Sequence, residues 1–191
     1  MEEVKKAVVG IAGLGGLGSN VAAALARTSV GKLVLADFDA VEPSNLNRQF
    51  YFTDQLGMKK TDALAANLKR INPLVSLEAH CVKLTPENIP AIFKGVDVMV
   101  EAFDGAAAKA MIAEVFGAAF PGVPLVMATG LAGYGSSNAI LTRKMGESIY
   151  LCGDLESAVT PALGPMAPRV GIAAMHQANM VLRLLLGHRE P

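Results

Sequence analysis

The sequence predicts an α/β protein: an open, mainly parallel sheet with helices on both faces and antiparallel strands added near the C-terminus. Three observations carry this reading. Short apolar runs that stop at Gly or Asp recur along the chain, Ala- and Leu-rich stretches of helical length separate them, and the texture changes after Thr129. Uninterrupted apolar runs are expected of parallel strands buried on both faces, and helices alternating with such strands act as right-handed crossovers.

Residues 7–12 (Ala-Val-Val-Gly-Ile-Ala) form the first run and end in glycines. Residues 19–29 read as a helix, and residues 32–36 (Lys-Leu-Val-Leu-Ala) as a second strand that stops at Asp37, completing a strand-turn-helix-strand unit. A polar loop covers 38–55. The alternation then resumes with a helix over 58–71, a strand over 75–81, a helix after Pro86, a strand over 96–102, a helix over 106–119 and a strand over 124–128. Beyond Thr129, Gly130-Leu131-Ala132-Gly133-Tyr134-Gly135 is glycine-rich, and the β-like pieces at 138–142 and 148–151 are too close together for helical crossovers, so they read as antiparallel additions. Residues 153–168, with Pro161, Pro165 and Pro168, read as a loop. Residues 169–186 read as a last, largely apolar helix ending at Gly187. There is neither an internal repeat nor a linker, which points to a single domain over 1–191.

With 191 residues, 52% of them hydrophobic and 18% charged, the chain can bury a sizeable core. Seventeen basic residues balance seventeen acidic ones without a run of either sign, so no nucleic-acid footprint or anionic-membrane patch is expected. No apolar stretch reaches the length of a membrane span, and Met1 to Lys6 lead into the first strand without a cleavage signal, so the expected location is cytoplasmic. The two cysteines, Cys81 and Cys152, lack the spacing of a disulfide framework or a structural zinc site. His80, His176 and His188 form no metal-ligand pattern, and core filling explains the nine methionines.

Gly13-Leu14-Gly15-Gly16-Leu17-Gly18-Ser19 is a Gly-x-Gly-x-x-Gly sequence between the first strand and first helix. Glycines there allow a tight turn, close backbone approach to phosphate and close packing of helix on sheet, while the helix N-terminus attracts an anion. By itself the pattern is weak in a chain with nineteen glycines, where a plain tight turn is the bland alternative. Asp37, about twenty residues further on, is placed to accept hydrogen bonds from a ribose diol. A Rossmann-like sheet with this pair of features suits NAD as well as ATP.

The segment Asp37-Phe38-Asp39-Ala40-Val41-Glu42-Pro43-Ser44-Asn45-Leu46-Asn47-Arg48-Gln49, followed by Gly57-Met58-Lys59-Lys60, favours ATP, because it brings amide and cationic donors toward a phosphate turn. Together with Gly-x-Gly-Gly-x-Gly-Ser, Asp104 after the fourth strand, and Gly164-Pro165 through Gln177-Ala178 to Gly187, it resembles the ThiF/MoeB family of ubiquitin-activating-type adenylyltransferases, most closely a short ThiF. The resemblance covers nearly the whole chain. It implies nucleotide contacts from Gly13, Gly15, Gly16, Gly18, Asp37 and Asp39, with Asp37 on the ribose. Asn45, Arg48 and Lys60 would surround the phosphates, Gln49 would shape the site, and Asp104 would bind Mg2+ or orient the α-phosphate. Arg48, Lys60 and Asp104 are thereby the catalytic candidates; helix capping and solvated surface charge are the bland readings of the same side chains.

The implied reaction is ATP-dependent adenylylation of the C-terminal glycine of a ubiquitin-like sulfur-carrier protein with a Gly-Gly tail, ThiS-like and serving thiamine biosynthesis, in a homodimer. A MoaD-like carrier or a tRNA-modifying dehydratase activity are variants of that reading. Several features depart from the family pattern. Gly105 stands where an asparagine often follows the aspartate, the two Cys-x-x-Cys pairs of many relatives are missing so that no structural zinc is expected, and Met1 to Lys6 contain no arginine of the kind that relatives use against a partner's ATP. The last feature supports an alternative, a nucleotide-binding scaffold or regulator; an NAD-dependent oxidoreductase is a further one. Family members can use a cysteine for acyl transfer, and of the two cysteines Cys152, glycine-flanked at an expected loop edge, is the better candidate, although a small buried cysteine is the commoner fate.

Overall fold

The computed structural model describes residues 1–160 and 163–191; of the expected 153–168 loop, Pro161 and Ala162 lie outside the described residues. A seven-stranded sheet organises the chain. Its strands are β1 (Val8–Ala12), β2 (Lys32–Ala36), β3 (Ser76–His80), β4 (Val98–Glu101), β5 (Leu125–Ala128), β6 (Leu141–Met145) and β7 (Ile149–Gly153), in the spatial order β3-β2-β1-β4-β5-β7-β6. The order reverses between β1 and β4, which pair in parallel. Chain connections leave in opposite directions at such a point, so a crevice opens beyond the strands' carboxyl ends.

Burial follows the strand sequences. Val9, Ile11, Leu33, Leu35, Val98 and Val100 are buried because helices cover both faces of the inner strands. By contrast β3, Ser-Leu-Glu-Ala-His, is an edge strand whose residues are only partly buried or exposed. On one face pack α2 (Gly16–Arg27), α3 (Lys60–Ile71) and α6 (Ala167–Leu185). The alanines of α2 (Ala22, Ala23, Ala26) and α6 (Ala173, Ala174, Ala178) are buried in this layer and let the two helices approach each other closely. On the other face α4 (Ile89–Ile92) and α5 (Ala106–Ala119) cover Val34, Met99 and Leu125, with Phe93 and Phe116 filling the core.

Several elements differ from the sequence expectation. Residues before β1 form a short helix, α1 (Glu2–Lys6), which buries Val4. Helix α2 begins within the glycine turn, at Gly16, because Gly18 packs where no side chain fits: a Cβ there would lie 1.9 Å from Gly13 O. The helix after Pro86 is a single turn. Residues 137–139 form a 3₁₀ turn rather than the start of a strand, and β6 begins at Leu141. β6 and β7 are an antiparallel pair, as expected, but β7 joins the sheet parallel to β5. The chain leaves β5 for the outer edge, turns at Gly146 with φ +84, and folds β7 back into the intervening gap.

Gly18→Ala is expected to lower stability by about 1–3 kcal/mol through overpacking. Gly171→Ala, within α6 and with no atom near its ideal Cβ, is expected to stabilise by about 0.5–1 kcal/mol. Urea midpoints of the two variants check the pair.

Candidate functional site

The glycine turn is held from three sides. Gly13, at φ +88, donates its amide to Ala36 O at 2.9 Å, and a Cβ on it would meet Ala102 O at 2.9 Å. Leu14 donates its amide to Asp37 Oδ2 at 2.6 Å and accepts the Tyr51 hydroxyl on its carbonyl at 2.8 Å. The Tyr51 phenol is buried, which pushes its pKa upward with help from the Asp37 and Asp39 charges, so it remains a donor. Helix α2 then starts with no side-chain cap at Gly15, and an uncapped helix N-terminus offers its first amides to an anion.

The polar segment after β2 is folded against this turn. Ser19 Oγ donates to Gly15 O at 2.6 Å and accepts Phe50 N at 2.9 Å, while Asn20 Nδ2 reaches both Gly16 O (2.6 Å) and Arg48 O (3.0 Å). These bonds bring Arg48 and Gln49 beside Gly15 and Gly16. Arg48 Nη1 donates to two neutral acceptors, Ser44 O and Asn47 Oδ1. Gln49 is buried and its Oε1 has no partner among the described residues. Lys60, the first residue of α3, places a buried Nζ 2.8 Å from Asp39 Oδ2. Asn45 accepts Glu42 N on Oδ1 at 3.1 Å, closing the 3₁₀ turn that precedes Arg48.

Across the crevice, β4 ends at Glu101 and Asp104 follows in the connection to α5, exposed. The Glu101 side chain is fully buried, pairs through both oxygens with Lys109 Nζ at 2.9 and 3.0 Å, and accepts Phe103 N at 2.6 Å. Burial pushes the Glu101 carboxyl up, opposed by the Lys109 charge and by these hydrogen bonds.

The third side consists of Gly130 to Ala132 and the segment at Ser157. Asp154 pairs with Arg169, at the start of α6, and accepts the Ser157 hydroxyl and the Glu156 and Ser157 amides. Arg169 also donates to Ser136 O at 3.2 Å, so one buried guanidinium ties both loops to α6. Burial opposes ionisation of Asp154, yet the Ser157 and Glu156 hydrogen bonds and the Arg169 charge hold its carboxyl below the usual carboxylate range.

Together these walls enclose a cleft of about 750 Å³. Gly13, Gly15, Gly16, Asp37 and Asp39 line it, as do Arg48, Gln49, Lys60 and Asp104. Gly18 and Asn45 do not: the first lies under the turn and the second braces the loop behind Arg48. Ser19, Asn20 and Tyr51 act as organisers, and Lys109 lines the cleft. Sequence reasoning missed all four. A Glu at the end of a buried apolar run with a Lys one turn into the next helix was the available signal for the Glu101–Lys109 pair.

Cys152 takes the buried place that is the commoner fate of a small cysteine, not that of an acyl carrier. It lies within β7, fully buried, with its thiol pushed up to about 11 by burial against a small lowering by the Thr142 hydroxyl. Gly153 still belongs to the strand, so the expected loop edge is interior. Cys81 is the exposed thiol. The histidines stand apart: His80 contacts Glu78, and His176 on α6 meets Thr142 Oγ1 at 3.0 Å. No group of three or more His, Cys, Asp or Glu able to hold a metal occurs among the described residues, and no helix there is long and apolar enough to cross a membrane.

The family model described as "ThiF family" matches residues 1–191. The chain belongs to the ThiF family. Among its relatives, the adenylyltransferase and sulfurtransferase uba4 of Pyricularia oryzae is 33% identical over 98% of this chain, and UBA4 of Yarrowia lipolytica 31% identical over 93%. This ThiF-family chain spans 40% and 45% of their lengths. Ubiquitin-like modifier-activating enzyme 5 of Arabidopsis thaliana is 45% identical over 84 residues, 44% of this chain and 20% of that protein. In fold, the chain is similar to the E. coli tRNA N6-threonylcarbamoyladenosine dehydratase TcdA, whose structure holds ATP: TM-score 0.85, 22% identity, 97% of this chain and 88% of that one. E. coli MccB with ATP gives a TM-score of 0.77 at 23% identity, covering 100% of this chain and 58% of that one.

In the native protein, a thiol reagent is expected to modify Cys81 and leave Cys152 unmodified until the protein is denatured; peptide mass mapping checks this. Because the folded Asp154 pKa is depressed, its stabilisation is full above the unfolded value of about 3.9 and is lost as pH falls through the folded value. The destabilisation caused by Asp154→Asn is therefore expected to be largest near neutrality and to shrink in acid, measured by urea unfolding across pH.

Proposed function

We propose that this chain transfers AMP from ATP to the C-terminal glycine of a ubiquitin-like sulfur-carrier protein, in the cytoplasm and as a homodimer. The observation that carries the proposal is the juxtaposition across one cleft of an uncapped helix N-terminus, Arg48 and Lys60 with the exposed carboxylate of Asp104. The names of the curated relatives support the same reaction class.

In this reaction a carboxylate oxygen of the carrier's terminal glycine attacks the α-phosphorus of ATP. The bond from that phosphorus to the bridging oxygen breaks, its electron pair leaves with pyrophosphate, and an acyl-adenylate remains. No protein nucleophile or proton transfer is needed, in keeping with a buried Cys152. Catalysis consists of aligning two anions and neutralising charge on the phosphates. The α2 amides and Arg48 serve that task from one wall, and Lys60 joins them by exchanging its bond to Asp39 for one to phosphate. Each Asp37 oxygen accepts a backbone amide, from Leu14 and Asp39, and retains a lone pair for the ribose hydroxyls.

Asp104 fits a Mg2+ site of the kind that uses one carboxylate with substrate phosphates and water, which does not require a preformed cluster of acidic residues. Bound there, Mg2+ supplies further neutralisation of the triphosphate. The residual apolar surface at Ile172 and Met175 on α6 supports self-association. A ThiS-like carrier and a role in thiamine biosynthesis are the substrate and setting we assign by resemblance to ThiF.

ATP–pyrophosphate exchange with Mg2+ and a panel of Gly-Gly-tailed carriers is the test. Carrier-dependent exchange is expected, with Asp104→Ala and Arg48→Ala each lowering it by about 10²-fold or more. ATP binding without exchange for any carrier would replace the proposal with a nucleotide-binding scaffold, exchange only with a MoaD-like carrier would move the setting, and preference for NAD would point to a dehydrogenase.

A further inference from the structure

Asp104 lies in a short connection. Between β4 and α5 the chain runs only through Ala102, Phe103, Asp104 and Gly105. Both ends of this connection are tied by one ion pair. Glu101, the last residue of β4, accepts the Phe103 amide on Oε1 at 2.6 Å, and Lys109, in the first turn of α5, reaches back to both Glu101 oxygens.

Lys109 has no donor to spare. Its third hydrogen bond goes to Ala128 O, at the end of β5, at 2.8 Å, so its three ammonium hydrogens are matched by three acceptors. It lines the cleft, yet its charge is directed into the protein. Gln177 on α6 donates to Glu101 O at 2.9 Å from behind, which fixes the backbone at the same point. The connection also abuts the phosphate turn, because Ala102 O lies where a Gly13 side chain would begin. A shift of this connection would thus move Asp104 relative to Gly13.

We infer that Glu101 and Lys109 are positioning residues: their buried pair sets the distance of Asp104 from the glycine turn without contacting the nucleotide. The inference rests on the reading of Asp104 as a site residue given above. An ordinary stabilising ion pair would raise folding stability alone; a positioning pair also acts through Asp104.

The test is a double-mutant cycle. Glu101→Gln/Lys109→Met removes both charges with little change of shape and leaves no buried charge unpaired. In carrier-dependent pyrophosphate exchange, this variant is expected to lose about 10²-fold in kcat with the KM for ATP unchanged, since small misplacements of reacting groups cost that much. Added to Asp104→Asn it is expected to cause no further loss. Losses that multiply, or a folded variant with wild-type kcat and only a lower Tm, would overturn the inference.

A second readout does not need turnover. Mn2+ affinity of the ATP-bound protein, by electron paramagnetic resonance, is expected to fall equally in the pair variant, in Asp104→Asn and in their combination. If the wild-type protein binds Mn2+ and ATP but exchanges with no carrier, adenylylation fails as the function and this measurement decides the positioning role: equal falls sustain it, wild-type affinity in the pair variant overturns it. Absence of Mn2+ and ATP binding by the wild-type protein would overturn both. Should the pair variant not fold, Lys109→Arg, whose guanidinium keeps a bidentate bond to Glu101 but reaches one atom further than the ammonium and so displaces it, replaces it in both measurements with a smaller loss and the same non-additivity.

Discussion

The 2.6 Å hydrogen bond from the Leu14 amide to Asp37 Oδ2 sets the geometry on which the cleft depends. It joins the loop after β1 to the end of β2, and the Tyr51 hydroxyl on Leu14 O closes the same peptide from the other side. With the amide and carbonyl of one residue both fixed by buried partners, the following turn has little freedom, and α2 must start at Gly16. The absence of a side chain at Gly18 then lets the helix sit directly against Gly13. A buried carboxylate acting as an anchor for backbone amides costs less than an unpaired one, since each hydrogen bond offsets its desolvation.

Around that anchor the sheet topology gathers the chemistry. β1 has β2 on one side and β4 on the other, all parallel, so three carboxyl ends deliver Gly13, Asp37 and Asp104 to one crevice. Positive charge comes from a different source, the long segment after β2, which returns over the turn through Ser19 and Asn20. The result is one wall of donors and one exposed carboxylate, held apart by the sheet. The buried Glu101–Lys109 pair and the Asp154–Arg169 pair lie on opposite sides of β5 and β7, each tying a loop of the cleft to a helix. Those charges satisfy one another, and among the described residues Arg48, Lys60 and the exposed Lys83 are the other cations that line the cleft.

Membership of the ThiF family and the resemblance to ATP-bound TcdA and MccB agree with this arrangement at the level of fold. The sequence departs from the family pattern in places that fold tolerates. The pattern's Cys-x-x-Cys pairs are absent from the sequence, and β6, β7 and a 19-residue α6 that packs on α2 complete the C-terminal part of the fold. Much of the apolar character of α6 is consumed within the chain: Val170, Ala173, Ala174, Ala178, Met180 and Val181 are all buried. Ile172 and Met175, with the partly buried Leu182, Leu184 and Leu185, keep apolar surface for an outside partner.

The sequence by itself determined the alternation of strands and helices, the parallel core and the phosphate turn, because burial on both faces, helical periodicity and glycine spacing are local properties. It also carried the candidate side chains, since Asp37 and Asp104 follow strand ends and the Asn-Leu-x-Arg-Gln element matches the pattern of the ThiF/MoeB family. Only the tertiary structure decided how they are used. Asn45 braces a loop behind Arg48, Lys60 is bonded to Asp39, and Cys152 is sealed in the core, because long-range packing, not neighbouring residues, sets each environment. The Glu101–Lys109 pair shows the same limit. A charged residue ending an apolar run reads locally as the edge of a strand; only when β5, α5 and α6 close over it does it become a buried anchor, since burial and pairing are properties of the assembled layers.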